Sequence, residues 1–132
     1  MAELVCVGCG PGDPELLTVK AVNAINAADT IMCPASNEDR PSIVLSIVSD
    51  IIDKSKNQEI VRLIFPMTKD KDVLEATWKK NAKIMAEKVL SGKNVVYITI
   101  GDPYLYSTWI YMHREIKANY PEMKISVVPG IV

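Results

Sequence analysis

Short apolar runs alternate along this chain with longer segments of helical periodicity. The first run, Leu-Val-Cys-Val-Gly at residues 4–8, and the fourth, residues 94–100, are almost continuously apolar and rich in β-branched residues. This pattern favours strands that are covered on both faces, as in a parallel sheet, over strands with one solvent-exposed face. The pattern predicts five strands, at residues 4–8, 30–34, 59–64, 94–100 and 124–129.

The segments between the runs place their apolar residues on one helical stripe. In residues 72–92 this stripe consists of Leu74, Trp78, Ala82, Met85 and Val89. Gly92 follows it and predicts a left-handed helix cap. Four helices are predicted, at residues 14–29, 41–53, 72–92 and 104–121. Strands separated by helices imply right-handed crossovers, so the predicted fold class is α/β: an open, mainly parallel five-stranded sheet with helices on both faces.

Composition narrows the class of protein. The 132 residues suffice for one domain with a real core, and 48% hydrophobic and 23% charged residues are ordinary for a globular protein. A formal net charge of −1 argues against a general binder of nucleic acid or anionic membranes, which would carry a basic excess. The sequence has neither a bilayer-length apolar run nor a basic-then-apolar leader, so we expect a cytoplasmic protein.

The three cysteines are interpreted as core residues. An odd, sparse set does not predict a disulfide framework. Cys6 and Cys9 form a C-x-x-C motif, but Cys6 falls within the first strand and Cys9 in the following turn, whereas redox motifs of this kind open a helix. A zinc site would need a second ligand pair, which is not evident in the sequence, so no metal is predicted and a redox or metal role stays the alternative.

A glycine-rich turn follows the first strand. Gly8, Gly10 and Gly12 precede Asp13, which is expected to cap a helix that starts at Pro14. The dinucleotide fingerprint needs a third glycine where Asp13 stands, and an anionic side chain there opposes a pyrophosphate. The turn is therefore predicted to be tight and preformed, but not a phosphate site.

A second turn repeats this design after the fourth strand. The tripeptide Gly-Asp-Pro occurs at residues 12–14 and again at residues 101–103. In a parallel sheet both turns would lie at the same edge, where ligands bind beyond the carboxyl ends of the strands. Glycine backbone groups with an acidic side chain suit a ligand that carries ribose and cationic groups. S-adenosylmethionine fits this description better than NAD or ATP.

Three motifs together carry a resemblance to a known family. VGCGPGDPELLTVKA near the start, YITIGDPYLYST about 90 residues later and VVPGI at the end resemble the tetrapyrrole methylases, the class III S-adenosylmethionine-dependent methyltransferases of cobalamin and sirohaem synthesis. Within the family, FPMTKD at residues 65–70, a Trp-bearing helix and GDPYLYSTW are most similar to the enzymes that methylate C20 of precorrin-2 or cobalt-precorrin-2.

The resemblance implies a domain arrangement and a reaction. Residues 1–132 would form the N-terminal α/β domain of a two-domain methyltransferase, with the C-terminal domain absent from this chain and the active site in the cleft between the two. The implied reaction is S-adenosylmethionine-dependent C-methylation of a reduced tetrapyrrole, in an enzyme that pairs as a homodimer. Because the methyl donor is already activated, alignment, exclusion of water and help with a proton are the protein's tasks. No covalent nucleophile and no catalytic triad are predicted, and the sequence does not identify a catalytic residue.

The resemblance also implies site residues. Those expected to contact the cofactor are Pro11, Ile100, Gly101, Asp102, Leu105 and Val132. Those expected to contact the substrate are Gly12, Asp13 and Tyr106.

Further side chains are candidates for the site, each with a structural role as the alternative. Arg40, Lys69 and Lys71 would meet substrate carboxylates, or else form solvated surface. Tyr104 and Tyr106 would line the cleft, with the core as the alternative for Tyr106. The residues expected in the core are Trp78 and Trp109, and His113 is a candidate proton carrier or metal ligand.

Two alternatives to this function stay open. Within the family, the reaction could instead be uroporphyrinogen C-methylation, another corrin methylation, diphthine synthesis or ribosomal RNA methylation. From a different class, the chain could be a non-catalytic α/β dimerisation module. A methyltransferase assay on a longer chain, with light scattering, would separate these readings.

Overall fold

The computed structural model describes residues 2–103 and 108–132. Its strands are β1 (Leu4–Gly8), β2 (Thr30–Ala35), β3 (Glu59–Ile64), β4 (Val95–Thr99) and β5 (Ile125–Val128). Its α-helices are α1 (Val19–Ala27), α2 (Ile43–Val48), α3 (Lys71–Leu90) and α4 (Trp109–Asn119). Short 3-10 turns occur at Pro14–Leu16, Ser49–Ile51 and Lys54–Lys56.

All five strands belong to one parallel sheet, in the order β3-β2-β4-β1-β5. The first strand lies between the fourth and the fifth, with Leu4 paired to both Val95 and Ile125. All carboxyl ends therefore meet at one edge, which confirms the predicted open α/β fold.

Two core layers cover the faces of the sheet. On one face, α1 and α2 pack on alternate strand residues, among them Val7, Ile31 and Ile98. On the other face, α3 and α4 pack on the intervening residues, such as Cys6 and Tyr97. Because successive strand side chains point to opposite faces, near-continuous apolar runs fill both layers, as the sequence pattern predicted.

The predicted helix at residues 14–29 is wrong at its start. Asp13 caps only the 3-10 turn at Pro14–Leu16, its carboxylate accepting a hydrogen bond from the Glu15 amide (2.9 Å). Leu17 then has extended backbone, and α1 begins after Thr18, whose hydroxyl accepts from the Ala21 amide (3.0 Å). Two good capping residues stand in sequence here, and the second one starts the α-helix.

The other predicted helices differ in their bounds. The segment at 41–53 forms α2 followed by the turn at Ser49–Ile51, and α3 is capped by Asp70 and followed by Gly92 with φ of +99°. Residues 104–107 of the predicted fourth helix lie outside the described residues. In the described ranges, no helix combines the length and the apolar character that crossing a bilayer requires.

Candidate functional site

The two glycine turns are joined by backbone hydrogen bonds at the carboxyl edge of the sheet. The Gly101 amide donates to the Gly10 carbonyl (2.8 Å), and the Gly10 amide donates to the Gly101 carbonyl (3.3 Å). Gly10 has φ of +73° and Gly101 of +70°, conformations that favour glycine. The prediction that both turns share one edge is confirmed, and their contact makes them one continuous backbone surface.

A third glycine segment completes this surface. The Gly130 amide donates to Oδ1 of Asp102 (3.2 Å), which ties the segment after β5 to the second turn. A Cβ at Gly8 would lie 2.6 Å from both the Gly101 oxygen and the Gly130 nitrogen. We name Gly8, Gly10, Gly101 and Gly130 the glycine floor. Side chains on its innermost residues would separate the three segments.

A cleft of about 940 Å³ lies beside the glycine floor. It extends from the segments after β1 and β5, across the loop after β4, to the loops after β2 and β3. Its described lining residues are Pro11, Pro34, Ala35, Ser36, Arg40, Pro41, Ile43, Val44, Phe65, Met67, Thr99, Ile100, Gly101, Asp102, Thr108 and Val132. Among these, Arg40 is the one cation and Asp102 the one anion, so the cleft is a largely apolar site with a single charge of each sign.

Most of the predicted cofactor residues line this cleft. Pro11, Ile100, Gly101, Asp102 and Val132 all do. Leu105 lies outside the described residues, as do Tyr104 and Tyr106.

The predicted substrate residues are not brought together in the same way. Gly12 and Asp13 are exposed and do not line the cleft, and the Asp13 carboxylate is engaged by the Glu15 amide. Of the three candidate cations, Arg40 lines the cleft, whereas Lys69 and Lys71 do not.

Apart from Arg40, sequence reasoning missed the half of the cleft that lies at the ends of β2 and β3. Pro34 lies near the end of β2, Ser36 and Pro41 come from the loop after it, and Phe65 and Met67 come directly after β3. The available signal was the parallel sheet itself, because every segment after a strand in such a sheet reaches the same edge. These residues do not lie in glycine-rich turns, so the turn motifs gave no indication of them.

A hydrogen bond between the hydroxyl groups of buried Tyr97 and half-buried Thr108 fixes the start of α4 at the cleft. The Tyr97 hydroxyl lies 2.9 Å from Oγ1 of Thr108, and Thr108 lines the cleft. Burial raises the pKa of Tyr97, which the hydrogen bond to Thr108 only partly offsets. Tyr97 therefore holds α4 as a neutral phenol.

The cysteines are buried and free, as the core interpretation predicted. Cys6 packs in the layer under α3 and α4, whereas Cys9 and Cys33 pack in the layer under α1 and α2. Burial raises the pKa of Cys6 and Cys33, and raises that of Cys9 to about 12. Neutral, inaccessible thiols do not act as nucleophiles.

The remaining candidates pack away from the cleft lining. Trp109 is fully buried, as predicted, and stacks on His113 at 5.3 Å between ring centroids. Trp78 is only half-buried and stacks on the exposed Tyr111 at 4.2 Å, so the core prediction holds only in part for it. Burial, and next the charge of Lys117, lower the pKa of His113. In the described part of the chain, no cluster of three His, Cys, Asp or Glu residues could hold a metal ion.

Comparison with known proteins identifies the family. The family model "Tetrapyrrole (Corrin/Porphyrin) Methylases" matches residues 3–132. The cobalt-precorrin-2 C(20)-methyltransferase of Salmonella typhimurium is 36% identical over 98% of this chain and 52% of its own length. A Methanocaldococcus jannaschii protein named "Probable cobalt-precorrin-2 C(20)-methyltransferase" is 42% identical over 90% of this chain and 49% of its own length. The chain thus spans about half the length of these curated relatives.

Solved structures share the fold. A cobalt precorrin-4 methyltransferase superposes with a TM-score of 0.65 at 21% identity, covering 98% of this chain and 46% of that one. The uroporphyrin-III-C-methyltransferase of Thermus thermophilus superposes with a TM-score of 0.68 at 19% identity, covering 99% and 48%. With a family match that extends from residue 3 to residue 132, the chain belongs to the tetrapyrrole (corrin/porphyrin) methylases.

Proposed function

We propose that the complete protein containing this chain transfers a methyl group from S-adenosylmethionine to C20 of precorrin-2 or cobalt-precorrin-2, in cobalamin biosynthesis. The observation that carries the proposal is the glycine floor beside an apolar cleft, in a chain whose relatives bear the name of that C20-methyltransferase. Residues 1–132 would be its N-terminal domain, with a second domain covering the cleft.

The cleft fits a cofactor with cationic groups better than a phosphate ester. Pro11 lines it without offering an amide N–H, and Pro103, just after Asp102, also lacks one. The Asp102 carboxylate would repel a phosphate and attract an ammonium or sulfonium group. A Cβ at Gly101 would meet nothing within 4 Å, so open space adjoins its backbone. These features support Pro11, Ile100, Gly101, Asp102 and Val132 as cofactor contacts. For Leu105, the same role stays a prediction from the family resemblance.

The roles of this chain's residues follow from the chemistry. S-adenosylmethionine supplies an activated methyl group, so the reaction is an in-line displacement by a nucleophilic carbon of the tetrapyrrole. The glycine floor orients the cofactor, and Asp102 binds its positively charged groups. Ile100, Phe65 and Met67 exclude water from the cleft. For Gly12, Asp13 and Tyr106 a role in binding the tetrapyrrole stays a prediction from the family resemblance.

The test is a methyl-transfer assay on the complete protein. With S-adenosylmethionine and reduced precorrin-2 or cobalt-precorrin-2, we expect S-adenosylhomocysteine and a product methylated at C20, identified by mass spectrometry and NMR. Uroporphyrinogen III belongs in the same assay, because a relative named uroporphyrinogen-III C-methyltransferase is 28% identical over 98% of this chain. Preferential methylation of uroporphyrinogen would replace the C20 assignment, and failure to bind S-adenosylmethionine would end the proposal.

Asp102 offers a test of the cofactor contacts. In Asp102→Asn an oxygen can still accept from the Gly130 amide, but the negative charge is lost. We expect the calorimetric Kd for S-adenosylmethionine to rise about tenfold, the effect of losing one charge-assisted contact, with little change in stability. Asp50→Asn, which removes an exposed carboxylate outside the cleft lining, is the matched control. Equal affinities of Asp102→Asn and wild type would remove Asp102 from the site.

We also propose that the complete protein is a homodimer, as the family resemblance implies, and that it is cytoplasmic, as expected from the sequence. Light scattering of the complete protein measures its mass in solution, and a monomer would contradict the proposal.

A further inference from the structure

Arg62 connects the edge strand of the sheet to a cleft wall. It lies in β3, opposite Cys33 of β2. Its Nη1 donates to the carbonyl oxygen of Arg40 and its Nη2 to that of Glu38, each at 2.6 Å. The two nitrogens of one planar guanidinium thus hold two carbonyl groups of the same loop.

The loop that Arg62 holds, residues 37–41, is exposed and has no regular secondary structure. Within the loop, Oδ1 of Asn37 accepts from the amides of Asp39 and Arg40, both at 2.9 Å. These bonds shape a local turn but do not attach it to the sheet, so Arg62 provides the side-chain attachment seen between this turn and β3.

This loop carries the cation of the cleft. Ser36, Arg40 and Pro41 line the cleft on the side of β2 and β3, whereas Asp102 follows β4 and the glycine floor lies at the carboxyl ends of β1, β4 and β5. None of the salt bridges among the described residues involves Arg40. The cleft therefore has an anionic group beside the glycine floor and a cationic group toward β2 and β3.

We propose that Arg40 binds a carboxylate of the tetrapyrrole and that Arg62 is the positioning residue that holds the Arg40 loop against the cleft. This inference rests on the proposed function, since a tetrapyrrole with several carboxylates is the substrate class considered. Arg62 acts only through the backbone of residues 38–40. Its replacement should therefore affect the same binding step as replacement of Arg40.

The first measurement tests the attachment of the loop without any ligand. Hydrogen exchange of the complete protein is compared between wild type, Arg62→Gln and Arg62→Lys. We expect the amides of residues 38–40 to exchange at least about tenfold faster in Arg62→Gln, with an intermediate rate in Arg62→Lys, because lysine presents a point charge rather than a fork. Unchanged exchange would overturn the positioning role.

The second measurement tests carboxylate binding without turnover. Uroporphyrin III, a fluorescent tetrapyrrole with carboxylate side chains, is titrated against the complete protein. We expect its Kd to rise about tenfold in Arg40→Gln and in Arg62→Gln, and also about tenfold, not a hundredfold, in the double variant. Additive effects, or an unchanged Kd in either single variant, would overturn the proposal.

The matched control is Arg114→Gln. It removes the remaining arginine of the chain, on α4, where the guanidinium lies 6.0 Å from the Tyr111 ring centroid and outside the cleft lining. We expect wild-type exchange and a wild-type Kd. A tenfold effect here as well would mean that net charge, not Arg40, controls binding, and would overturn the proposal.

Turnover separates this inference from the proposed function. In the active enzyme, Arg40→Gln and Arg62→Gln should raise KM for the tetrapyrrole about tenfold, with kcat and the Kd for S-adenosylmethionine within about twofold of wild type. A loss of kcat at unchanged KM would overturn the inference but leave the function standing. Wild-type protein without methyl transfer, but with the expected uroporphyrin results, would refute the function alone.

Discussion

Gly8 lies where the three glycine segments approach one another closely. Its replacement by alanine would put a Cβ 2.6 Å from two backbone atoms, the Gly101 oxygen and the Gly130 nitrogen. Backbone atoms cannot move aside as the end of a side chain can. The absence of a side chain here therefore has a steric cause, unlike that at Gly92, where nothing lies within 4 Å and only φ of +99° favours glycine.

We predict that Gly8→Ala lowers the free energy of unfolding by about 3 kcal/mol, through overpacking against the backbone. Gly92→Ala, with strained φ but open space, should cost only about 1 kcal/mol. Urea denaturation of both variants measures the difference. Equal costs would mean that the glycine segments can separate without penalty.

The Cys9 thiol makes stability depend on alkaline pH. Burial raises its pKa to about 12 in the folded protein, whereas an unfolded thiol titrates near ~8.5. Above that value the unfolded chain releases its proton and the folded one keeps it, so stability falls as pH rises toward 12.

Cys9→Ala should therefore reduce the loss of unfolding free energy between pH 7 and 10, by about 1.5–2 kcal/mol. At pH 7 itself the variant loses about 1 kcal/mol from the small cavity left in the core. Urea denaturation at both pH values gives the comparison. Parallel losses in variant and wild type would show that Cys9 ionises normally in the folded state.

At the scale of elements, the start of α1 tests which residue is its cap. Thr18→Ala should lower the free energy of unfolding by about 1 kcal/mol, because the Ala21 amide loses its acceptor. Asp13→Ala should cost less than about 0.5 kcal/mol, because Asp13 serves only an exposed turn. Thermal unfolding ranks the two, and the reverse order would restore Asp13 as the helix cap.

The elements show which sequence signals were sufficient. Strands read from β-branched apolar runs agree with the structure to within one residue at each end. The apolar stripe of α3 was also evident, but Asn81, buried on the same helix, was not. Its amide donates to the Ile64 carbonyl (3.0 Å) at the end of β3. The burial of a polar helix residue such as Asn81 cannot be predicted from the helix alone, because its hydrogen-bond partner is distant in sequence.

At the scale of the whole molecule, the two-domain proposal makes this chain one of two walls of the site. We predict that residues 1–132 produce S-adenosylhomocysteine at least about a hundredfold more slowly than the complete protein, because alignment needs both walls. Parallel assays at equal concentration, with circular dichroism to establish folding of the shorter chain, measure this ratio. Equal rates would contradict the two-domain proposal.

The part of the candidate site that lies at the glycine-rich turns was predictable from the sequence. Two repeated turns located Gly101, Asp102 and Pro11 at one edge, because parallel strands leave no other arrangement. Arg62 and Phe65 carry no such local mark. They lie near the cleft because β3 pairs with β2 and because the loop after β2 folds back toward β3. Both are tertiary contacts, which the local sequence does not reveal.

The position of β1 between β4 and β5 has a consequence for how the nascent protein matures. β1 leaves the ribosome first, yet its partners Val95 and Ile125 are made much later, while β2 and β3 can pair as soon as both have emerged. Pairing between segments so distant in sequence is slow. Until it occurs, the apolar strand β1 stays exposed and is prone to aggregate. The glycine floor, which needs β1 and β4 together, is consequently among the last parts of this chain to assemble during synthesis.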